Sequence, residues 1–265
     1  MTLGIAFEGC GCRAAFHVGA VEWLAAHGVE FQAAAGASSG ALVAGAVALR
    51  RTAELRPEWI ELTGTPVCDA RRLLRARWPF RMSEIVGDAA RHYFGGMRLA
   101  DTLIPLAVVV TQLRVRGFMR RTLTSRDDVL VSAAVRASCF IPGPYSQMVP
   151  IDRRLTFDGA WLQRVPVREA ADLGANRVIA CVSDTHGRLL RGALRAVPAA
   201  MPHDVDYRVL SPVAPLPVRT FDFDRGATLE SFEIGGRSAA AFAARHGAWL
   251  AGGDDGCDPP RPQLR

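Results

Sequence analysis

Gly36-Ala37-Ser38-Ser39-Gly40 is the segment of the chain whose residue types and spacing point most directly to chemistry. It matches the G-x-S-x-G pattern, in which a sharp strand-to-helix turn holds a serine side chain clear of a sheet. Such a turn forces unusual backbone angles and close approach, which glycine and other small residues accommodate. The same five residues also fit a glycine- and serine-rich turn with no chemistry, and their position between an apolar strand candidate and an apolar helix candidate favours the nucleophile. A serine at its free pKa attacks poorly, so a base must take its proton. The six histidines are His17, His27, His92, His186, His203 and His246, and none stands in a recognisable base motif. A carboxylate can serve instead. Asp158-Gly159-Ala160 follows a strand candidate, Leu155 to Phe157, and sites in α/β sheets form at the carboxyl ends of strands. Taken alone, the tripeptide is equally an ordinary Asp-Gly turn.

Gly9-Cys10-Gly11-Cys12-Arg13-Ala14 supplies a third element. Consecutive backbone N–H groups ahead of a helix can face a negative charge, either a developing oxyanion or a phosphate. Gly9, Gly11 and Ala14 also satisfy the dinucleotide fingerprint G-x-G-x-x-G/A, with Glu30 near the spacing of a ribose contact. Against that, His27, Gly28 and Val29 precede Glu30 where that fold requires an apolar strand. Cys10 and Cys12 lack the further Cys or His pair of a closed zinc site, so no metal is expected. Their place near a helix N-terminus predicts lowered thiol pKa values, which would suit redox sensing.

These residues must be positioned by regular elements. A chain of 265 residues, 49% hydrophobic and 22% charged, can bury the core of one large α/β domain and is not a disordered polymer. Leu3 to Phe7 and Gln32 to Ala37 read as buried strands, and the apolar run inside Pro105 to Gln112 as another, with Phe118 to Leu123 pairing beside it. Phe16, Val18, Val21, Trp23 and Leu24 recur at helical spacing up to Gly28, and a second helix runs from about Ser39 to Arg51. Ser125 and Asp128 have the spacing of a capping box for a helix ending before Pro142. Val165 to Leu173 and Thr228 to Leu250 are further helices, and Arg177 to Val182 a further strand. Alternating strands and helices predict an α/β protein with a mainly parallel sheet covered on both faces. The expected organisation is one domain over 1–253 and a flexible tail over 254–265.

In chain order, the glycine-rich loop, GASSG at 36–40, ASCFIPG at 137–143 and DGA at 158–160 resemble the patatin-like phospholipases. PLAVVVTQL resembles that family's central strand and LESFEIGGRSAAAFAA its closing helix, so the resemblance covers most of the chain. It implies a three-layer α/β/α patatin-like fold and a serine acyl hydrolase of phospholipase A or lysophospholipase type, without a cofactor. Ser38 would be the nucleophile and Asp158 its base. Gly9, Cys10, Gly11, Cys12 and Arg13 would frame the oxyanion hole, Gly36 and Gly40 the elbow, and Gly159 and Ala160 the DGA turn. Family loops commonly read G-G-G-x-R-G. Here Cys10 replaces the middle glycine and Ala14 the last, and a cysteine would be strained if that middle position needs φ > 0. The asparagines expected after the DGA turn are replaced by Gln163 and Arg164. The alternatives are a neutral-lipid lipase, thioesterase or acyltransferase built on the same dyad, or a catalytically silent fold that binds lipid or a partner.

A net charge of +6 favours anionic surfaces. Arg71 to Arg81, with Leu73, Leu74, Trp78 and Phe80 among five arginines, suits either peripheral contact with an anionic membrane or a helix with a core-facing stripe and a solvated basic face. No nucleic-acid motif is present. The oligomeric state is not encoded legibly. The N-terminus lacks a secretory pattern and the six cysteines are scattered, which predicts a cytoplasmic protein, peripheral at most to a membrane. A lid is expected somewhere within 57–100, the least regular stretch.

Overall fold

Five consecutive buried residues, Leu3–Phe7, form β1, as their unbroken apolar character requires of a strand covered on both faces. In the computed structural model the chain continues through α1 (Ala15–Ala26), β2 (Ala33–Ala37), α2 (Ser39–Ala48), α3 (Leu55–Leu62) and α4 (Met82–Phe94). Next come β3 (Leu106–Arg114), β4 (Gly117–Leu123), α5 (Val131–Ser138), β5 (Thr156–Phe157), α6 (Val167–Asp172) and β6 (Arg177–Cys181). The last elements are β7 (Leu190–Gly192), β8 (Arg195–Pro198), β9 (Asp206–Leu210) and α7 (Arg225–Leu250). The structure describes residues 2–188, 190–192, 195–198 and 205–257; the part of the expected tail over 258–265 lies outside them, as does His203.

The main sheet has the order β4-β3-β2-β1-β6-β9, with β5 added to β3. The pairs β1–β2, β1–β6, β2–β3 and β6–β9 are parallel, and β4 and β5 join β3 antiparallel. This is the mainly parallel α/β sheet expected. One core side gathers Ile5, Phe7, Phe16, Val43, Leu106 and Phe232 around α1, α2, α5 and α7; the other gathers Ala6, Ala35, Val167, Val178 and Tyr207 around α6. Parallel strands bring the ends of β1 and β2 to one edge, so the loops after Phe7 and Ala37 meet there.

Three local readings change. Ser125 and Asp128 do not cap a helix: α5 begins at Val131 after Leu130, with no side-chain cap. Asp127 instead closes the turn, its Oδ2 accepting from Thr124 N–H at 2.8 Å, while Asp128 pairs with Arg98. The Arg71 to Arg81 segment has no core-facing stripe. Ala70–Arg75 is a short 3₁₀ turn, and Leu73, Leu74 and Trp78 are exposed. Glu30 lies ahead of β2, at the sheet end opposite the glycine-rich loop, which removes the ribose contact from the dinucleotide reading.

Candidate active site

Ser38 sits between β2 and α2 with φ 52° and ψ −130°, a conformation that non-glycine residues seldom adopt. The flanking glycines allow it. A Cβ on Gly36 would meet Gly40 O at 2.3 Å, and one on Gly40 would meet Phe7 O at 2.5 Å. Ser138, at the end of α5, ties the turn down. Its hydroxyl accepts from Ser38 N–H at 2.8 Å and donates to Val109 O at 2.6 Å.

Asp158 follows β5, which returns antiparallel along the far end of β3 and so delivers the carboxylate to the same sheet edge. Its N–H donates to Phe140 O at 2.8 Å, and its carbonyl accepts from Thr111 Oγ1 at 2.9 Å. With the backbone fixed at both ends, the side chain has little freedom. Oδ1 accepts from Ala160 N–H at 2.8 Å and Oδ2 accepts from Ser38 Oγ at 2.6 Å. Burial pushes the Asp158 carboxyl up to about 7, against the downward pull of those two bonds and of the Arg164 charge.

The glycine-rich loop closes over this pair. Cys10 has φ −143°, so the middle position does not demand glycine and the expected strain is absent. Positive φ falls on Gly11, at 64°, where a Cβ would also meet Thr220 O at 2.2 Å. Three loop amides are engaged: Gly9 N–H with Arg164 O at 3.0 Å, Cys12 N–H with Thr220 O at 2.9 Å, and Cys10 N–H with Ser39 Oγ at 3.2 Å. Gly11 N–H has no partner among the described residues. Arg13 donates to Ser183 O and so braces the loop. Glu8 anchors its start, with Arg164 Nε at 2.6 Å and Ser183 N–H donating at 2.5 Å.

Burial pushes both Cys10 and Cys12 thiols up to about 12, opposite to the lowering expected beside a helix N-terminus. Desolvation of the thiolate outweighs the dipole here. Glu8, Cys10 and His17 come within 4.8 Å of one another, but the Glu8 carboxylate is already taken by Arg164 and Ser183, so the trio has no free carboxylate for a cation.

A cavity of about 280 Å³ opens on Ser38 and Asp158. Beyond the polar end its walls are apolar, with Leu42 from α2, Trp59 and Leu62 from α3, Met82 and Val86 from α4, and Tyr145 and Phe221 from loops. The expected lid region thus supplies, through α3 and α4, one wall of the cavity. Sequence reasoning missed Glu8, Thr111, Ser138 and Phe221. Ser138 lies in the ASCFIPG motif, and the loss of the expected asparagine flagged position 164 without revealing its pairing with Glu8.

A family model described as patatin-like phospholipase matches residues 5–171. Uncharacterized NTE family proteins of Mycobacterium bovis and Mycobacterium tuberculosis are 30% identical over 188 residues, covering 67% of this chain and 48% of theirs. The chain therefore spans about half the length of the curated relatives it matches. Among solved structures, the crystal structure of VipD from Legionella pneumophila is 10% identical, with a TM-score of 0.43 over 89% of this chain and 67% of that one. No described helix is long and apolar enough to cross a membrane. The match over residues 5–171, with its motifs in order along the sheet described above, makes this chain a member of the patatin-like phospholipase family.

Proposed function

We propose that the protein hydrolyses fatty-acyl esters of lipids, phospholipids or lysophospholipids foremost, through a Ser38–Asp158 dyad and an acyl-enzyme. Ser38 Oγ attacks the ester carbonyl while its proton passes to Asp158 Oδ2, and the carbonyl oxygen becomes an oxyanion. The Gly11 N–H, the loop amide without a partner among the described residues, receives that charge. Collapse expels the alcohol, which takes the proton from Asp158 and leaves the acyl group on Ser38. Asp158 then deprotonates a water that attacks the acyl-enzyme, and as the second tetrahedral intermediate collapses Ser38 Oγ leaves with that proton and the carboxylic acid departs. A carboxyl pushed up to about 7 suits a base working near neutral pH.

One observation carries the reading: a 2.6 Å hydrogen bond from Ser38 Oγ to a buried carboxylate, at the polar end of a cavity otherwise suited to an acyl chain. The same dyad would serve a neutral-lipid lipase, thioesterase or acyltransferase, so substrate profiling follows the first test. That test is covalent labelling by a fluorophosphonate probe. Labelling is expected on Ser38, lost in Ser38→Ala and reduced at least about a hundredfold in Asp158→Asn. A folded protein that takes no label would point to a silent lipid- or partner-binding module instead.

A further inference from the structure

We propose that the carboxyl end of the sheet is a bilayer-docking face, in which two arginine-rich apolar patches seat the cavity mouth on an anionic lipid surface; this rests on the lipid-ester reading above. The first patch belongs to β3, β4 and β5. Leu113 pairs with Phe118 across β3–β4, and its N–H donates to Leu155 O at 3.0 Å, so the three form one cross-strand row. They are 38%, 45% and 46% exposed, and Val115 at the hairpin tip is fully exposed. Ala37 lies opposite Val109, and strands rise roughly 3.3 Å per residue, so Leu113 stands roughly 10 Å beyond the level of Ser38 on the side where the cavity opens. The second patch is the turn with Leu73 and Leu74, 61% and 89% exposed, and Trp78, half exposed.

Both patches attach to the loop that walls the cavity. Trp78 Nε1–H donates to Gly143 O at 2.8 Å. From the other side, ring contacts run Phe118–Phe157–Phe140–Tyr145, with centroids 5.5, 5.8 and 6.4 Å apart, and Tyr145 lines the cavity. Exposed apolar residues at a sheet edge, a hairpin tip and a turn suit insertion among headgroups. The charges within the two segments themselves are of one sign, although Arg72 and Arg77 reach Glu84 and Arg120 reaches Glu169. Residues 71–78 and 113–120 contain arginines and no acid, and Arg71, Arg75, Arg116, Arg153 and Arg154 form no ion pair among the described residues. That is the complement of a phosphate-bearing surface.

The test uses Ser38→Ala protein, which cannot consume the lipid, sedimented with vesicles of phosphatidylcholine alone or mixed with phosphatidylglycerol. Binding to the mixed vesicles is expected to be about tenfold tighter or more, to weaken with salt, and to fall about fivefold for each of Arg71→Gln and Arg116→Gln. Leu74→Asp and Val115→Asp should each lower it about tenfold, while in the Ser38 background hydrolysis of a water-soluble short-chain ester stays unchanged. Equal binding to both vesicles, no binding, or binding indifferent to all four substitutions overturns the proposal and would assign the arginines to an acidic protein partner. Vesicle binding that follows the expected pattern sustains it even if the wild type hydrolyses no ester, so the two failures are told apart.

Discussion

Asp158 carries two demands that conflict at the scale of a single residue. As the base proposed above it must be ionised, yet its burial favours the neutral acid and pushes the carboxyl up to about 7. The pH dependence of hydrolysis follows: rate should rise through about pH 7 and then level, with the ascending limb belonging to one group. A profile already flat at pH 5 would mean that Asp158 titrates normally. Stability should run the other way. Between an ordinary aspartate pKa near 4 and the folded value near 7, the folded state binds more protons than the unfolded state, so wild-type stability falls as pH rises through that window. Asp158→Asn lacks the charge while retaining an acceptor for Ser38. The variant should match the wild type near pH 4 and exceed it at pH 8 by on the order of a few kcal/mol, read by denaturant unfolding. Equal stabilities at pH 8 would remove the desolvation argument.

Elements decide where an acyl chain can lie. α2 leads away from Ser38 with Leu42 one turn on, and α3 and α4 face it with Trp59, Leu62, Met82 and Val86. Trp59 is buried, its indole N–H unpartnered among the described residues, and it lines both the main cavity and a small second void shared with Leu55 and Tyr93. With Leu42, Leu62 and Ala89, which also line both, it forms the wall between the two, and it is the largest side chain in that wall. Trp59→Ala should join them and shift preference toward longer acyl chains, with kcat/KM for the longest esters rising relative to the shortest by about tenfold, while labelling of Ser38 persists. An unchanged chain-length profile would place the acyl group elsewhere. The strands and helices around Ser38 were legible because each is a continuous apolar run of the right length, as in Leu106–Val110, or keeps helical spacing, as in Phe16–Leu24. The wall from α3 and α4 was not. Pro66 and Pro79 break the pattern, and the segment is fixed by remote contacts such as Trp78 to Gly143. Ser138 was read as part of a motif, yet its work couples residue 38 to residue 109, and no local pattern reports such a bond.

At the scale of the whole molecule, the two ends of the sheet are differently built. The carboxyl end holds Ser38, Asp158 and the open cavity, whereas the amino ends of β6 and β9 are locked by a polar cluster. Arg177 and Arg208 both meet Asp206, Trp249 Nε1–H donates to Asp206 Oδ2 at 2.7 Å, and Arg208 also binds Asp255 at 2.6 Å. Asp255 falls within the stretch expected to be a flexible tail, yet its side chain is buried, with His246 Nδ1 2.6 Å away. The contact returns the chain beyond α7 to the sheet and gives the buried Arg208 guanidinium a second carboxylate. The Arg208 hydrogen bonds hold the Asp255 carboxyl well below its ordinary range. A group depressed in this way contributes stability above its unfolded pKa, near 4, and loses that contribution as pH falls below it. Asp255→Asn should therefore cost about 2 kcal/mol at pH 7, or roughly 4–8 °C in Tm for a chain of this size. The difference should narrow as pH drops below about 4, where the unfolded wild type binds the proton first. Hydrolysis of a short-chain ester at 25 °C should be unaltered, because the cluster lies at the end of the sheet away from Ser38. A loss of Tm independent of pH would mean that Asp255 acts through packing and not through its charge.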